Sequence, residues 1–411
     1  TASDSDVALV MTPSEAQAVA ERWLAEARVA RDGTRFALPP SALGLGAGDV
    51  IALEGEGLYR IDRAEMGEGQ LLEAVRVEPL AAETAPAPDV PAPVRPYRSP
   101  APVAAIFLDL PMLTSEDTPH APYLAVAADP WPGVVAVLSA PEDAGYALDR
   151  VVGQSAAIGT LLDPLPVAAP GRWDRGAAVR VRLATGGPLA SVGEAALFAG
   201  ANAFAVGDGT PGGWEVVQAR EAVLVGPDTY ALSMRLRGQL GTEADMAEIW
   251  PEGSRVVLLD PALVQPGLSL GGIGVERHFL IGPAGLPLED PAMRRSVITP
   301  LGTGLRPYAP VHLRAEPLAD GGMALSWVRR TRIGGDSWAG TDVPLGEERE
   351  RYAVRVVDGA GGVLRRMEVD APGWVWGADE RAADAGAVAV EVAQLSAVVG
   401  AGPYRRLEID G

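Results

Sequence analysis

The residues that could do chemistry are few, and their spacing excludes most of it. Histidine occurs at 120, 278 and 312, too far apart for a helical zinc pair. Cysteine is absent, which removes thiol nucleophiles, disulfides, Cys-ligated zinc and iron–sulfur clusters. No lysine occurs, so all 34 basic residues are arginine; a phosphate-binding loop and Schiff-base chemistry both need the missing amine. Gly153-Gln154-Ser155-Ala156-Ala157 is the nearest string to a serine elbow and lacks the second glycine. Gly44-Leu45-Gly46-Ala47-Gly48 precedes a strand instead of opening a helix, so it reads as a tight turn and not a dinucleotide loop. Asp4-Ser5-Asp6 offers two carboxylates for calcium, but no 12-residue loop ending in Glu follows. With 54 acids some facing pair always exists, so a glycosidase dyad has no specific signature. No catalytic residue, metal ligand or cofactor is expected.

Two groups are left. Arg329-Arg330-Thr331-Arg332 could bind phosphate or an acidic partner, or form a loop neutralised by Glu347, Glu348 and Glu350. Trp338, Trp374 and Trp376 could stack on a ligand, although alternating tryptophans on one strand face suit a core.

The elements that must carry these residues are mainly β. The chain has 411 residues, 49 of them Gly and 36 Pro, with a formal charge of −20. That balance argues against a nucleic-acid-binding surface and against docking on anionic lipid. No run of 18 apolar residues is present to span a membrane. The start, Thr1 to Asp6, lacks Met and any signal pattern, so the chain reads as a processed product or a segment of something longer.

Thr12, Pro13 and Glu15 make a helix start, and Asp32-Gly33 a stop. Ala16, Val19, Ala20, Trp23, Leu24 and Ala27 fall on one face, expected to pack on a sheet. The period then changes to two over Val50–Leu53, Leu58–Ile61 and Leu71–Val77. Residues 1–83 are expected to form a small β-barrel or meander with one helix at 12–30. Residues 84–103 are proline-rich and read as an extended linker. Short apolar runs between Gly/Pro turns mark 104–300 as a central β-rich region. A second spacer, about Pro300–Pro310, leads into 307–411, whose strand count fits an immunoglobulin-like sandwich with Trp327 buried on its second strand.

Three strings then show a family resemblance. Gly48-Asp49-Val50-Ile51-Ala52-Leu53 with Leu58-Tyr59-Arg60-Ile61 resembles a segment of tail hub domains in long-tailed phages, with Ala47 where Pro is usual. Leu236-Arg237-Gly238-Gln239-Leu240-Gly241-Thr242-Glu243 resembles a signature in the C-terminal region of the large tail-tip ("megatron", host-specificity) proteins of gene transfer agents. Trp327, Arg329 and Arg330, with Tyr352 and Val392–Ser396, resemble the fibronectin type III-like module that ends such proteins; Val388 stands where many such modules carry a corner Tyr.

The resemblance implies a multidomain, mainly β structural protein of a phage-like tail baseplate, part of a central hub and conduit for host attachment and DNA delivery. It implies a homotrimer that attaches to hub and distal tail proteins and meets the host cell envelope. DNA would pass without specific binding, and no membrane span is implied. The location implied is the tail of an extracellular particle assembled in the bacterial cytoplasm. Any hydrolase activity would belong to an upstream region of the parent chain. A carbohydrate- or receptor-binding module at the particle tip is the alternative, and a secreted hydrolase a further one.

Overall fold

The computed structural model describes residues 9, 11–39, 41, 44–67, 69–78, 102–335 and 342–409. The linker expected at 84–103 lies outside them up to residue 101, as do Trp338 and the Thr1–Asp6 start. The chain divides into two compact units, Thr1–Arg98 and Ser99–Gly411.

In the first unit, helix α1 (Pro13–Val29) opens with the expected capping box. The Glu15 backbone N–H donates to Thr12 Oγ1 (3.3 Å), and the Thr12 N–H to Glu15 Oε2 (2.8 Å). Strands β1 (Gly33–Leu38), β2 (Val50–Leu53), β3 (Gly57–Met66) and β4 (Gln70–Val77) form one antiparallel sheet in the order β1-β4-β3-β2. Tyr59, Ile61, Leu72 and Ala74 are its buried centre.

Two expectations are corrected here. Among the described residues the sheet is open, with β1 and β2 as its edges: of the two forms expected, β2-β3-β4 make the meander and no barrel closes. Barrel diameter falls with strand number, and four strands leave no interior for side chains. Of the expected helix face only Val19 is half-buried, next to Ala18, Ala25 and Val29; Ala16, Ala20 and Ala27 are exposed, as are Trp23 (46%) and Leu24 (61%).

The second unit starts with the hairpin β5 (Ala104–Leu108) and β6 (Tyr123–Ala127). There follow β7 (Val135–Ala140), β8 (Ala147–Val152), β9 (Ile158–Leu161), β10 (Leu165–Pro166), β11 (Trp173–Asp174) and β12 (Val179–Leu183). After helix α2 (Glu194–Phe198) come β13 (Ala203–Gly207), β14 (Glu215–Gly226), β15 (Thr229–Gln239), β16 (Ile249–Trp250), β17 (Arg255–Leu258), β18 (Arg277–Pro283) and β19 (Arg294–Ile298).

Six of these strands close a barrel, in the order β12-β9-β17-β13-β14-β15 and back to β12. Strand alternation sends Phe204, Val206, Val217, Leu232 and Val256 into its interior. The neighbouring Ala205, Val216 and Val257 face outward, where they pack on Leu108, Tyr123 and Ala125 of the hairpin. The hairpin's other face, Phe107, Leu124 and Val126, packs on Val137, Phe279 and Ile281 of a four-stranded sheet ordered β19-β18-β7-β8. Being covered on both faces is why Tyr123–Ala127 is an unbroken apolar run.

The last part contains β20 (Val311–Pro317), β21 (Met323–Val328), β22 (Tyr352–Asp358), β23 (Val363–Val369), β24 (Gly373–Trp376), α3 (Ala378–Ala383), β25 (Ala387–Ser396), β26 (Gly400–Ala401) and β27 (Arg405–Glu408). Sheet β20-β21-β24 faces sheet β23-β22-β25, with β26 and β27 both pairing with β25. This is the strand connectivity of a fibronectin type III-like sandwich. Trp327 and Tyr352 meet edge to face in its core, ring centroids 5.2 Å apart.

The expected spacer at 300–310 is instead pinned. The buried carboxylate of Asp109 accepts the backbone N–H groups of Leu301, Gly302 (3.1 Å) and Thr303 (2.8 Å).

Candidate functional site: the barrel rim that holds the sandwich

The string 236–243 runs off the end of β15, and the fold explains each of its residues. Arg237 and Glu215 sit side by side on β15 and β14 with neither side chain exposed. The guanidinium donates through Nε to Glu215 Oε1 (2.6 Å) and through Nη2 to Oε2 (2.8 Å). Its Nη1 donates to the Pro166 carbonyl (2.6 Å). The same carboxylate accepts the Gly238 N–H (3.1 Å) and the Trp250 indole N–H (2.7 Å). Every polar edge of the pair is used, which is what allows two charges to be fully buried.

Beside it Asp174 accepts from Arg235 Nε (2.9 Å) and lies 3.6 Å from Arg237. Burial pushes the Asp174 carboxyl up, but the hydrogen bonds from Arg235 and the Gly176 N–H and both nearby guanidiniums outweigh it. The group is held below the ordinary aspartate range.

The chain then turns through Gly238 (φ +59°) and Gly241 (φ +80°). A Cβ on Gly238 would lie 2.8 Å from Glu243 Cα, and one on Gly241 would lie 2.3 Å from the Tyr308 ring. Both positions therefore require glycine for conformation and for space. Thr242 Oγ1 donates to the Gln239 carbonyl (2.7 Å) and accepts the Val216 N–H (2.9 Å), tying the turn back to β14.

Glu243 is thereby aimed at the sandwich, where it pairs with Arg330. Arg330 also lies over the Tyr308 ring, 5.0 Å from its centroid, and its backbone exchanges two hydrogen bonds with the Gln394 amide. Arg306 reaches Asp245 (3.1 Å) alongside. The turn is thus a mooring between barrel and sandwich.

This geometry corrects the basic cluster as a free anion site. Arg329 pairs with Asp342 (2.6 Å), Arg330 with Glu243, and Arg332 with Glu347 (2.9 Å). Of the balancing acids expected, Glu350 instead accepts the Tyr352 hydroxyl (2.7 Å) and Glu348 the Ala397 N–H (3.1 Å). Burial pushes the Tyr352 phenol up, and Glu350 adds to it. Trp376 is corrected as a ligand contact: it is 1% exposed and its indole N–H donates to Asp384 (3.0 Å). Trp374 stacks on it at 5.8 Å and is half-buried.

In the first unit, Gly48 and Asp49 bracket a turn. The Gly48 N–H donates to Ile61 O (2.7 Å), and Asp49 Oδ2 accepts the Gly46 N–H (2.8 Å). Tyr59 is buried, and Arg60 is exposed and paired with Asp62 (2.8 Å). These residues shape a turn and a strand. Ser155 Oγ touches only the Ala128 N–H and the Ala156 carbonyl, each at 3.4 Å. Among the described residues no three His, Asp or Glu gather as a metal site, and no helix is long and apolar enough to cross a membrane.

Glu215, Asp174, Trp250, Tyr308 and Asp109 carry no sequence signal. The partners that matter are distant in the chain: Trp250 lies 35 residues from Glu215, and Thr303 lies 194 from Asp109.

Comparison with known proteins places these features. Residues 156–257, which contain the barrel and the mooring turn, match the family described as "Rcc01698-like, C-terminal". Residues 1–64 match the family described as "Putative phage tail protein". No curated protein matches the chain. Among solved structures, a two-domain fibronectin type III segment of chicken tenascin is 10% identical, covering 61% of this chain and 99% of its own, with a TM-score of 0.19. The FN1–FN3 domains of chicken CNTN1 are 11% identical, covering 75% and 97%, also with a TM-score of 0.19. At that score neither superposition supports an argument.

Proposed function

We propose that this chain is a structural component of a phage-like tail, at the baseplate or tail tip of a particle of the gene transfer agent kind. The observation that carries the reading is the phage tail match over residues 1–64, the stretch that holds the Gly48–Asp49 turn and Tyr59–Arg60. The mooring turn supports it, because it falls in a second family match while its partners Tyr308 and Arg330 lie beyond that match. A barrel that grips the following module through charge and a ring is suited to bearing load.

In this reading the chain works as a homotrimer in the central hub, bound to hub and distal tail proteins and facing the host envelope. Its excess of 54 acids over 34 arginines keeps passing DNA from being held. Its role is architectural and not enzymatic. Immunogold electron microscopy of particles from the source culture, with antibody against this chain, tests it. Gold at the tail end is expected; gold on the head, or label only on soluble protein, overturns it.

A further inference from the structure

The half-buried ring of Trp173 and the exposed ring of Phe198 meet on the outside of the barrel wall. Strand β11 pairs with β15, Trp173 opposite Leu236 and Asp174 opposite Arg235. Neighbouring strand residues point to opposite sides. Asp174 points inward, its side chain 11% exposed and taken by Arg235 and Arg237. Trp173 therefore points out. Its ring meets that of Phe198 at 6.2 Å, tilted by 46°.

The position of Phe198 is fixed from below. Leu197 beside it is fully buried, and the Gln218 amide donates to the backbone carbonyls of Leu197 (2.7 Å) and Ala201 (3.1 Å). This anchoring lifts Phe198 into solvent, 66% exposed. The Trp173 indole N–H has no hydrogen-bond partner among the described residues.

Charge adds a second feature. Arg172 precedes Trp173 and Arg175 follows Asp174; both are exposed, and neither pairs with any described residue. Other arginines of the same wall are engaged: Arg180 holds Asp163 (2.7 Å) and Arg220 holds Glu194 (2.9 Å). The exposed Phe198 ring, the half-buried Trp173 ring with its free N–H, and two exposed unpaired arginines close by in the chain match a ligand that is flat, hydroxylated and anionic. An acidic protein surface would satisfy the guanidiniums and leave the rings unused.

We propose that Trp173, Phe198, Arg172 and Arg175 bind an acidic sugar of a polysaccharide. The C–H face of the pyranose would lie on the rings and its carboxylate would take the guanidiniums. The inference stands on this platform and not on the tail reading, and the labelling experiment above leaves it untouched.

Isothermal titration of the full chain with oligogalacturonate tests it. Saturable binding is expected. Phe198→Ser is expected to weaken it about tenfold, and so is the double change Arg172→Ser with Arg175→Ser. A neutral maltooligosaccharide should bind more weakly than the uronate. Phe198 is solvent-facing, so the Phe198→Ser melting temperature should match the parent and separate lost binding from lost fold. Absence of oligogalacturonate binding overturns the proposal, as does unchanged affinity in Phe198→Ser. Polyglutamate binding as tightly as the uronate, with Phe198→Ser without effect on either, would reassign the surface to an acidic protein partner.

Discussion

At the scale of single residues, the buried pair of Glu215 and Arg237 decides most. Removing one partner strands the other charge in the interior. Glu215→Ala is expected to cost about 3–5 kcal/mol, read by urea unfolding. The double change Glu215→Leu with Arg237→Met should cost less than either single truncation, because it removes both charges together; a larger loss would contradict the desolvation argument. Asp174 sets an acid limit. Its folded pKa is depressed, so its stabilisation is present above the ordinary aspartate value of about 4 and is lost as pH falls through the lower folded value. Asp174→Asn should flatten the stability–pH curve in that acid window and leave its slope near neutrality unchanged. Gly241→Ala meets both a left-handed backbone and the Tyr308 ring, so a loss above the about 1 kcal/mol usual for conformation alone is expected.

At the scale of elements, the mooring turn separates folding from docking. Arg330→Ala removes the Glu243 pair and the ring contact but leaves Trp327 and Tyr352 in their core. Limited proteolysis should then cut at 300–310 faster than in the parent, while circular dichroism stays the same. Equal cutting rates would mean that Asp109 and the Arg306–Asp245 pair hold that segment without Arg330. Legibility in the sequence also divides here. The α1 capping box is visible because its two partners are three residues apart. The β character of 307–411 is visible as well, because alternation along strands such as β21 and β22 is a local signal. The burial of α1 was not visible in this way. Periodicity identifies an apolar face but says nothing about what covers it, and Trp23 and Leu24 stay in solvent.

At the scale of the whole molecule, charge makes a simple statement. A chain at −20 should not retard duplex DNA in a gel at physiological salt; a shift that vanishes at higher salt would reveal a local basic surface strong enough to override the net charge. By itself the sequence determined the mainly β class, the capped helix, the exclusion of thiol and amine chemistry, and the tryptophan at the sandwich core. Each rests on composition or on residues a few positions apart. Only the tertiary structure decided that the closed barrel is made by β9, β12, β13, β14, β15 and β17 and not by the first unit. Only it decided that Arg237 meets Glu215, that Glu243 reaches Arg330, and that residues 300–310 are tied to Asp109. Closure and long-range ion pairs depend on strand register and on burial from all sides. Neither is carried by any short stretch of chain.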